Sequence, residues 1–571
     1  MSPATPLERG TPLVDSDIVK EVMSTQEALA EIRRPYESMI DDILTYIYHG
    51  RRKINDKTLK GQKTGIQVYD GTAIGAVNLL TDGLTGYTIS KSFKWFSYAL
   101  PQKTRYGQRL DSIPEVKRWL EDCEECMYAA FLASNLYEQA PEFVRDAVTV
   151  GTVTINIDED IAGGRNVFTV PHFRECYCAE NYFGVVDTNY RKYNLTLKQL
   201  VEKFGYDQMV KNDPKFEKDY RTNRHKEREV IHARFPRKDY DPGKMNGRNK
   251  PFASVWVLTS GKKLLLESGT SHQQFVTWRW RKNSDEWYGR SPAWDAFVDA
   301  MTCNQAAKTN LVAAHKMVEP PMVGPSDLRG SIRSGPGGWT WVDNMSADRL
   351  PRPLMEGLQL PFGLEMQDRL AEKIKDHFQI DFFLMLTQAA LQKVEITATQ
   401  VIEMGGEKAA VLGPRVGRLE TEAMSPIHDA VFMNEQRAGR IPAPPPILED
   451  YGGGEINIQY MGPLSQAQRK MFISQGIDQG LAFIGQVMAV APDAIDHVNF
   501  DNTIRDGLTA RGFPQKDLND PDKVKQIRQI RQQAREQQAA LEQAIATAKA
   551  MPAAGKGIDS NSAAGMLMGA E

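Results

Sequence analysis

Three short groups of residues have types and spacings that could do chemistry. Asp158, Glu159 and Asp160 follow an alternating apolar segment, and carboxylates at a strand end can hold a divalent cation for phosphoryl chemistry. The same run is also common as a solvated turn, and its spacing does not select the metal reading. Cys123 and Cys126 form a C-x-x-C, Cys176 and Cys178 a C-x-C, and four thiolates could hold zinc. The first pair falls in a helical pattern, VKRWLEDCEECMYAAFL, and the second on one face of a strand, so both are expected to be packed thiols. Five cysteines, an odd number in a long chain, argue against a disulfide scaffold. The nine histidines form no cluster, and His315, among Ala and Val in a helical segment, is expected to be packed or interfacial. The chain has no G-x-x-x-x-G-K-[ST], H-E-x-x-H or G-x-S-x-G. No enzyme, cofactor or resident metal is expected.

The totals bound the class. At 571 residues the chain is long enough for several domains, and 41% hydrophobic with 25% charged residues is ordinary for a globular protein. The N-terminus, MSPATPLERGTPLVDSD, has no apolar core, and no apolar run reaches the roughly 18 residues of a membrane span. A soluble, intracellular chain with no membrane partner is expected. Seventy basic residues against 73 acidic ones give a net charge of -3. Tight nonspecific DNA binding relies on a basic excess that displaces counterions from phosphates. This chain can meet DNA only where it must not grip it.

The elements that would position these residues change along the chain. Asp17 to Lys53 reads as helix, with a kink or break expected at Pro35. Further helical regions cover Ile66 to Thr85 and Glu115 to Val150. From GTVTINIDED onward the pattern alternates. A turn at Gly163-Gly164 and the segments NVFTVPHFRECYCAE, YFGVVDTNYRKY, EVIHARFPRK, FASVWVLTS, KKLLLESG and QQFVTWRWRK predict a mostly antiparallel β region. Within it, Thr196 caps a short helix that Gly205 closes. The first half is therefore α+β.

Long helices dominate the rest. Ser291 at the N-cap and Pro292 at the first helical position open a rod that Pro320-Pro321 ends. About 29 residues make it roughly 43 Å long. A second long helix starts near Pro361. Between them VGPSDLRGSIRSGPGGWTWVDNMSADRLPRP is too broken for a helix and too short for a domain. Its ends must lie at the same end of the rod, and Trp339 and Trp341, alternating with Thr340, suggest a short strand. A third helix opens at Thr397-Ala398-Thr399-Gln400, a capping box with Ile396 and Val401 as its staple, and a kink is expected at Pro414. IPAPPPILEDYGGGE reads as a linker and GPLSQAQRKMFISQGIDQGLAFIGQVMAV as helix. Residues 521–550 form a polar helix with a narrow seam, Ile527, Ile530, Ala534, Leu541 and Ala544, suited either to packing between copies or to a solvated helix. Residues 551–571 are expected to be disordered.

Several of these segments together resemble one family, the portal or head-to-tail connector proteins of short-tailed double-stranded DNA bacteriophages. They are FRECYCAEN with GVVDTNYRKYNLTLKQLVEKFG, then WYGRSPAWDAF, VEPPMVGP, ITATQV and LGPRVGRLETEAMSPIHDAVF. The resemblance spans about Asp17 to Leu541 and implies a portal-type α+β fold with an α/β wing, a two-helix stem, a small β-containing clip, a long kinked helix and a helical crown. Placed on this chain, the wing begins with residues 1–285. Stem helices are 286–319 and 362–380, around a clip at 320–361. A tunnel loop is 381–395. The wing resumes with a kinked helix and linker at 396–462, followed by a crown at 463–520, the C-terminal helix and the tail.

The resemblance further implies a dodecameric ring at one capsid vertex, assembled in the host cytoplasm, through which double-stranded DNA passes during packaging and ejection. Implied partners are the terminase motor, a tail adaptor, and the major capsid and scaffolding proteins. Lys308, Lys316, Gln388 and Lys393 become candidates for the DNA channel, and Phe382, Phe383, Leu384 and Met385 for the tunnel loop. Arg329, Arg333, Trp339, Trp341 and Arg349 become candidates for partner docking. The rival readings are another helical structural virion protein, a scaffold or tail component, and a metal-dependent nuclease using Asp158 and Asp160.

Overall fold

The alternating segments pair as strands because each has one face to bury. A computed structural model describes residues 15–55, 61–102, 109–160, 163–241, 243–244, 246–319, 321–323, 352–353, 360–380, 413–449, 456–462, 480, 483–484, 499–501, 503–504 and 521–550. The chain divides into two units, residues 1–469 and 470–571.

In the first unit, β2 (Thr152–Asp160) lies between β3 (Arg165–Thr169) and β9 (Phe275–Arg279). A five-stranded sheet runs in the order β4 (Cys176–Glu180), β5 (Val186–Thr196), β6 (Glu227–Pro236), β7 (Phe252–Leu258) and β8 (Lys263–Thr270). Every pairing in both sheets is antiparallel. Each segment of the predicted antiparallel β region contributes to these sheets, the strand suggested at Trp339 and Trp341 lies outside the described residues, and the fold is α+β.

Helices cover both faces of the five-stranded sheet. On one face the first half of α1 (Asp15–Tyr46) sets Val19, Val22 and Leu29 against Ile231, Ala233, Val255 and Val257. Arg33 locks this contact. Its buried guanidinium donates to the Phe173, Arg174 and Cys176 carbonyls at 2.9, 3.1 and 2.7 Å. On the other face α5 (Leu197–Phe204), α6 (Tyr206–Asn212) and α7 (Phe216–Thr222) pack Leu200, Met209 and Phe216 on Val230, Trp256 and Leu258. Thr196 and Gln199 complete the capping box of α5, and Gly205 ends that helix at φ +86°.

The largest core gathers α2 (Thr72–Thr88), α3 (Pro114–Ala133) and α4 (Leu136–Thr149) around β2 and β9, with Trp95, Phe131, Phe143 and Trp278 fully buried. β1 (Phe96–Ala99) pairs there with β12 (Asn457–Tyr460).

Three expectations change. Helix α1 continues through Pro35 without a break. Pro35 is exposed, so the Glu31 carbonyl that loses its helical partner can bond water instead. The region 115–150 is two helices, because Ser134 and Asn135 leave helical geometry, and the Asn135 amide instead holds the Phe168 backbone through bonds of 2.8 and 2.7 Å. Helix α2 starts at Thr72 rather than Ile66, with Asp70 accepting from the Thr72 N–H at 3.0 Å.

Among the described residues of the second unit, Pro521–Ala550 forms one helix, and Arg528 pairs with Asp501 at 2.5 Å. Its seam residues Ile527, Ile530 and Leu541 are exposed.

Candidate functional site

The feature that stands apart from the core is an antiparallel pair of long helices, α8 (Pro292–Val318) and α9 (Leu360–His377). Its start is built as the sequence predicts. The Ser291 hydroxyl accepts from the Trp294 N–H at 3.3 Å and donates to the Thr149 carbonyl at 2.7 Å, and Pro292 occupies the first turn. A stripe of small residues, Ala293, Ala296, Ala300, Cys303 and Ala307, lets this half of α8 approach the core closely.

Polar contacts set the register of the pair. His377 meets Asp299 at 3.0 Å, and the Asn310 amide donates to the Gly363 carbonyl at 3.0 Å and to Gln367 at 3.1 Å. A Cβ at Gly363 would lie 2.3 Å from the Asn310 side-chain oxygen, so a larger residue there has to displace that side chain. The chain between α1 and α2 clasps the same region. Asn304 accepts from the Tyr69 N–H at 2.6 Å and donates to the Gln67 carbonyl at 3.0 Å. Beyond the helix pair, β10 (Met322–Val323) pairs antiparallel with β11 (Arg352–Pro353). The chain that leaves α8 and the chain that enters α9 are thus joined side by side.

The far half of the pair has little to pack on. After Ala307 no residue of α8 is buried, and Leu311, Val312, Met317 and Val318 are exposed, as are Leu364 and Met366 on α9. Val298, nearer the core, is 70% exposed. A rod with this much uncovered apolar surface is built to meet another surface.

A buried charge cluster ties a third helix to the sheets. Residues 413–419 are helical, Glu420–Met424 form a π-helical turn, and α10 (Ser425–Arg437) follows. Pro426 cannot donate to the carbonyl four residues earlier, and the wider turn before it absorbs the mismatch. The turn aims Glu422 at Arg279 on β9. Arg279 donates through its backbone N–H and its guanidinium to Glu422, at 3.0 and 2.8 Å, and it also pairs with Glu180. Lys282 binds Glu180 at 2.7 Å and Arg418 binds Glu422 at 2.9 Å. Burial alone would lower the Arg279 pKa, but the two carboxylates win and raise it. Sequence reading missed this cluster. Its signal was an arginine between Trp278 and Trp280 in an otherwise apolar strand.

The predicted site residues have different outcomes. Lys308 is exposed on α8, its ammonium 5.5 Å from the centre of the Tyr69 ring, and Lys316 is exposed near the far end. His315 is exposed on the single chain. Gln388, Lys393, the Phe382–Met385 run, Arg329, Arg333, Trp339, Trp341 and Arg349 lie outside the described residues, as does the Thr397 capping box. Pro414 lies at the start of the described part of its helix, so the kink expected there cannot be compared.

The acidic run is not a turn after the strand but the end of β2 itself, and each carboxylate has a cation. Asp158 lies 3.6 Å from Arg234, Glu159 pairs with Arg437, and Asp160 lies 3.4 Å from Arg165. These side chains are committed to holding neighbouring strands and α10. Cys176 and Cys178 are buried on β4 and Cys123 on α3, and burial pushes all three thiols up to about 12. That favours the packed thiol over the thiolate that zinc needs. Among the described residues no His, Cys, Asp and Glu side chains gather as a metal site would require, and no helix is long and apolar enough to cross a membrane.

Comparison with known proteins agrees with this architecture. The portal protein of Salmonella phage epsilon15 is 30% identical over 532 residues, covering 91% of this chain and 92% of that protein. The probable portal protein of Bordetella phage BPP-1 is 27% identical over 509 residues, 87% of each. The family described as bacteriophage head to tail connecting protein matches residues 19–518, nearly all of the first unit and about half of the second. The chain belongs to the bacteriophage head-to-tail connecting, or portal, protein family.

Proposed function

We propose that copies of this chain close into a ring, a dodecamer by family resemblance, at one vertex of the virion capsid, assembled in the host cytoplasm. Double-stranded DNA passes through its centre during packaging and ejection. The observation that carries the reading is the α8–α9 rod, whose exposed Val298, Leu311, Val312, Met317, Val318 and Leu364 need a neighbour to cover them. The near-neutral charge of the whole chain supports a conduit that does not grip phosphates. Lys308 and Lys316, exposed on the rod, supply weak phosphate contacts, with Gln388 and Lys393 joining them from the tunnel loop.

Residues 320–361 form the projecting clip in this reading. The β10–β11 pair at its root supports it, because both ends of the segment leave the rod together. The terminase motor docks there during filling and the tail adaptor afterwards, through Arg329, Arg333, Trp339, Trp341 and Arg349, while the wing meets the major capsid and scaffolding proteins.

Two experiments test the reading. Native mass spectrometry and negative-stain images of the purified protein should show closed rings with an axial hole; monomer alone across the micromolar range sinks it. Replacing Arg329 and Arg333 with Glu should leave the ring intact and abolish filling or tail attachment. Normal tailed particles would remove these arginines from docking, and a failed ring would move them to the subunit interface.

A further inference from the structure

The module built on the five-stranded sheet carries opposite charge on its two outer layers. On one face, the half of α1 that packs on the sheet carries Asp17, Glu21, Glu27 and Glu31 against Lys20 and Arg34, which pair with Asp17 and Glu31, and Arg33 is buried beneath it. Because Val19, Val22 and Leu29 face the sheet, Glu21, Glu27 and Glu31 are left exposed. On the other face, residues 197–226 carry eight basic side chains against five carboxylates. Two of those five are turned inward: Asp213 and Asp219 both bind Arg228, the first at 2.9 Å. Lys211, Lys215 and Lys218 are exposed, and none has an ion-pair partner among the described residues.

Hydrophobic packing does not explain this division, because each layer already buries its apolar side on the sheet. The division has a use if modules stack. An acidic face and a basic face on opposite sides of one sheet are complementary between copies but not within one. Contacts of this kind are heterologous, and they close into a ring when the rotation between copies is a whole fraction of a turn with no rise.

We propose that the α5–α7 layer of one subunit docks on the α1 layer of the next copy of this chain, as an electrostatic contact between wings that sets the order around the ring. The proposal rests on the ring reading above and names a surface for it. Charged faces of this type speed encounter and exclude like-charged pairings more than they add affinity. The contact is therefore screened by salt.

Charge reversal tests it. One variant carries Lys211→Glu, Lys215→Glu and Lys218→Glu; a second carries Glu21→Lys, Glu27→Lys and Glu31→Lys. All six positions are exposed. Each variant alone should lose rings in native mass spectrometry under conditions where the unaltered chain forms them. Mixing the two variants should restore rings, because the acidic α5–α7 layer of one then faces the basic α1 of the other, and the reverse also holds. All six changes in one chain should restore them too. Recovery on mixing also shows that each variant folds. Rings that persist in either variant overturn the proposal, as do rings lost and not restored in either combination. If the lysine variant keeps its rings but loses retention of a short DNA duplex, the basic layer serves nucleic acid instead and the proposal also falls. An unaltered chain that stays monomeric fails the ring reading itself, which separates that failure from this one.

Discussion

At the scale of single residues, one buried cluster of charges that partner one another contributes to the stability of this protein. Arg279 is nearly inaccessible and serves two carboxylates, which in turn keep Lys282 and Arg418. Removing one member of such a cluster leaves desolvated charge behind, at a cost of about 3 kcal/mol. Arg279→Met should therefore lower the urea midpoint, and amide exchange should quicken at residues 413–424, which Glu422 anchors; unchanged exchange there would show that the cluster does not hold that helix. Histidines make a second residue-scale prediction. His428 is buried among Phe96 and Phe131, its Nε2 2.8 Å from the Tyr98 hydroxyl, and burial lowers its pKa to about 3. His232, stacked on Trp256 at 3.7 Å, is lowered well below its ordinary value by burial and by Arg234. With the folded value below that of the unfolded chain, stability is complete above about pH 6.5, and it falls as pH drops toward 3, because only the unfolded chain takes up the proton. The loss is about 2 kcal/mol per histidine at pH 5. His428→Gln should flatten the fall in the urea midpoint between pH 7.5 and pH 5; an unchanged slope would acquit this histidine.

At the scale of elements, the α8–α9 pair is held by polar register more than by apolar burial in its outer half. Gly363 lets the helices close onto Asn310. Gly363→Val should force the side chain of Asn310 away and loosen the far half of the rod. Hydrogen exchange should rise in residues 308–318 and 360–367 while β5–β7 stay protected; uniform protection would show that the pair repacks without cost. The π-helical turn at Glu420–Met424 belongs to the same scale. It reconciles Pro426 with continued helix and, by shifting the phase of the helix, puts Glu422 on the side of Arg279.

At the scale of the whole molecule, charge is distributed rather than accumulated. A net charge of -3 over 571 residues coexists with an acidic α1 and a basic α5–α7 layer. The helix Pro521–Ala550 exposes Ile527, Ile530 and Leu541, and its other described side chains except the half-buried Val524 are also exposed. Its removal therefore costs little burial. Truncation after Asp520 should leave rings intact by native mass spectrometry, and a monomeric or insoluble product would make this helix part of the subunit interface.

What could be read directly from the sequence was whatever depends on neighbours along the chain. Alternating residues located every strand of the two sheets, since one buried face imposes a period of two. Ser291-Pro292 and Thr196 with Gln199 marked helix starts, because a cap satisfies backbone donors within one turn. The missing catalytic motifs pointed to a mechanical part rather than an active site, and the conduit reading came from the family resemblance. Whatever depends on distant neighbours came only with the tertiary structure. Pro35 does not break α1, because its side of the helix faces solvent. Asp158, Glu159 and Asp160 read as a solvated turn or a metal site until Arg234, Arg437 and Arg165 arrived from other segments to neutralise them. The opposite charge of α1 and α5–α7 was present in the composition, but only the sheet between them makes it a property of two faces. Local spacing encodes local geometry; which charges meet, and which remain for a partner, is decided where the chain folds back on itself.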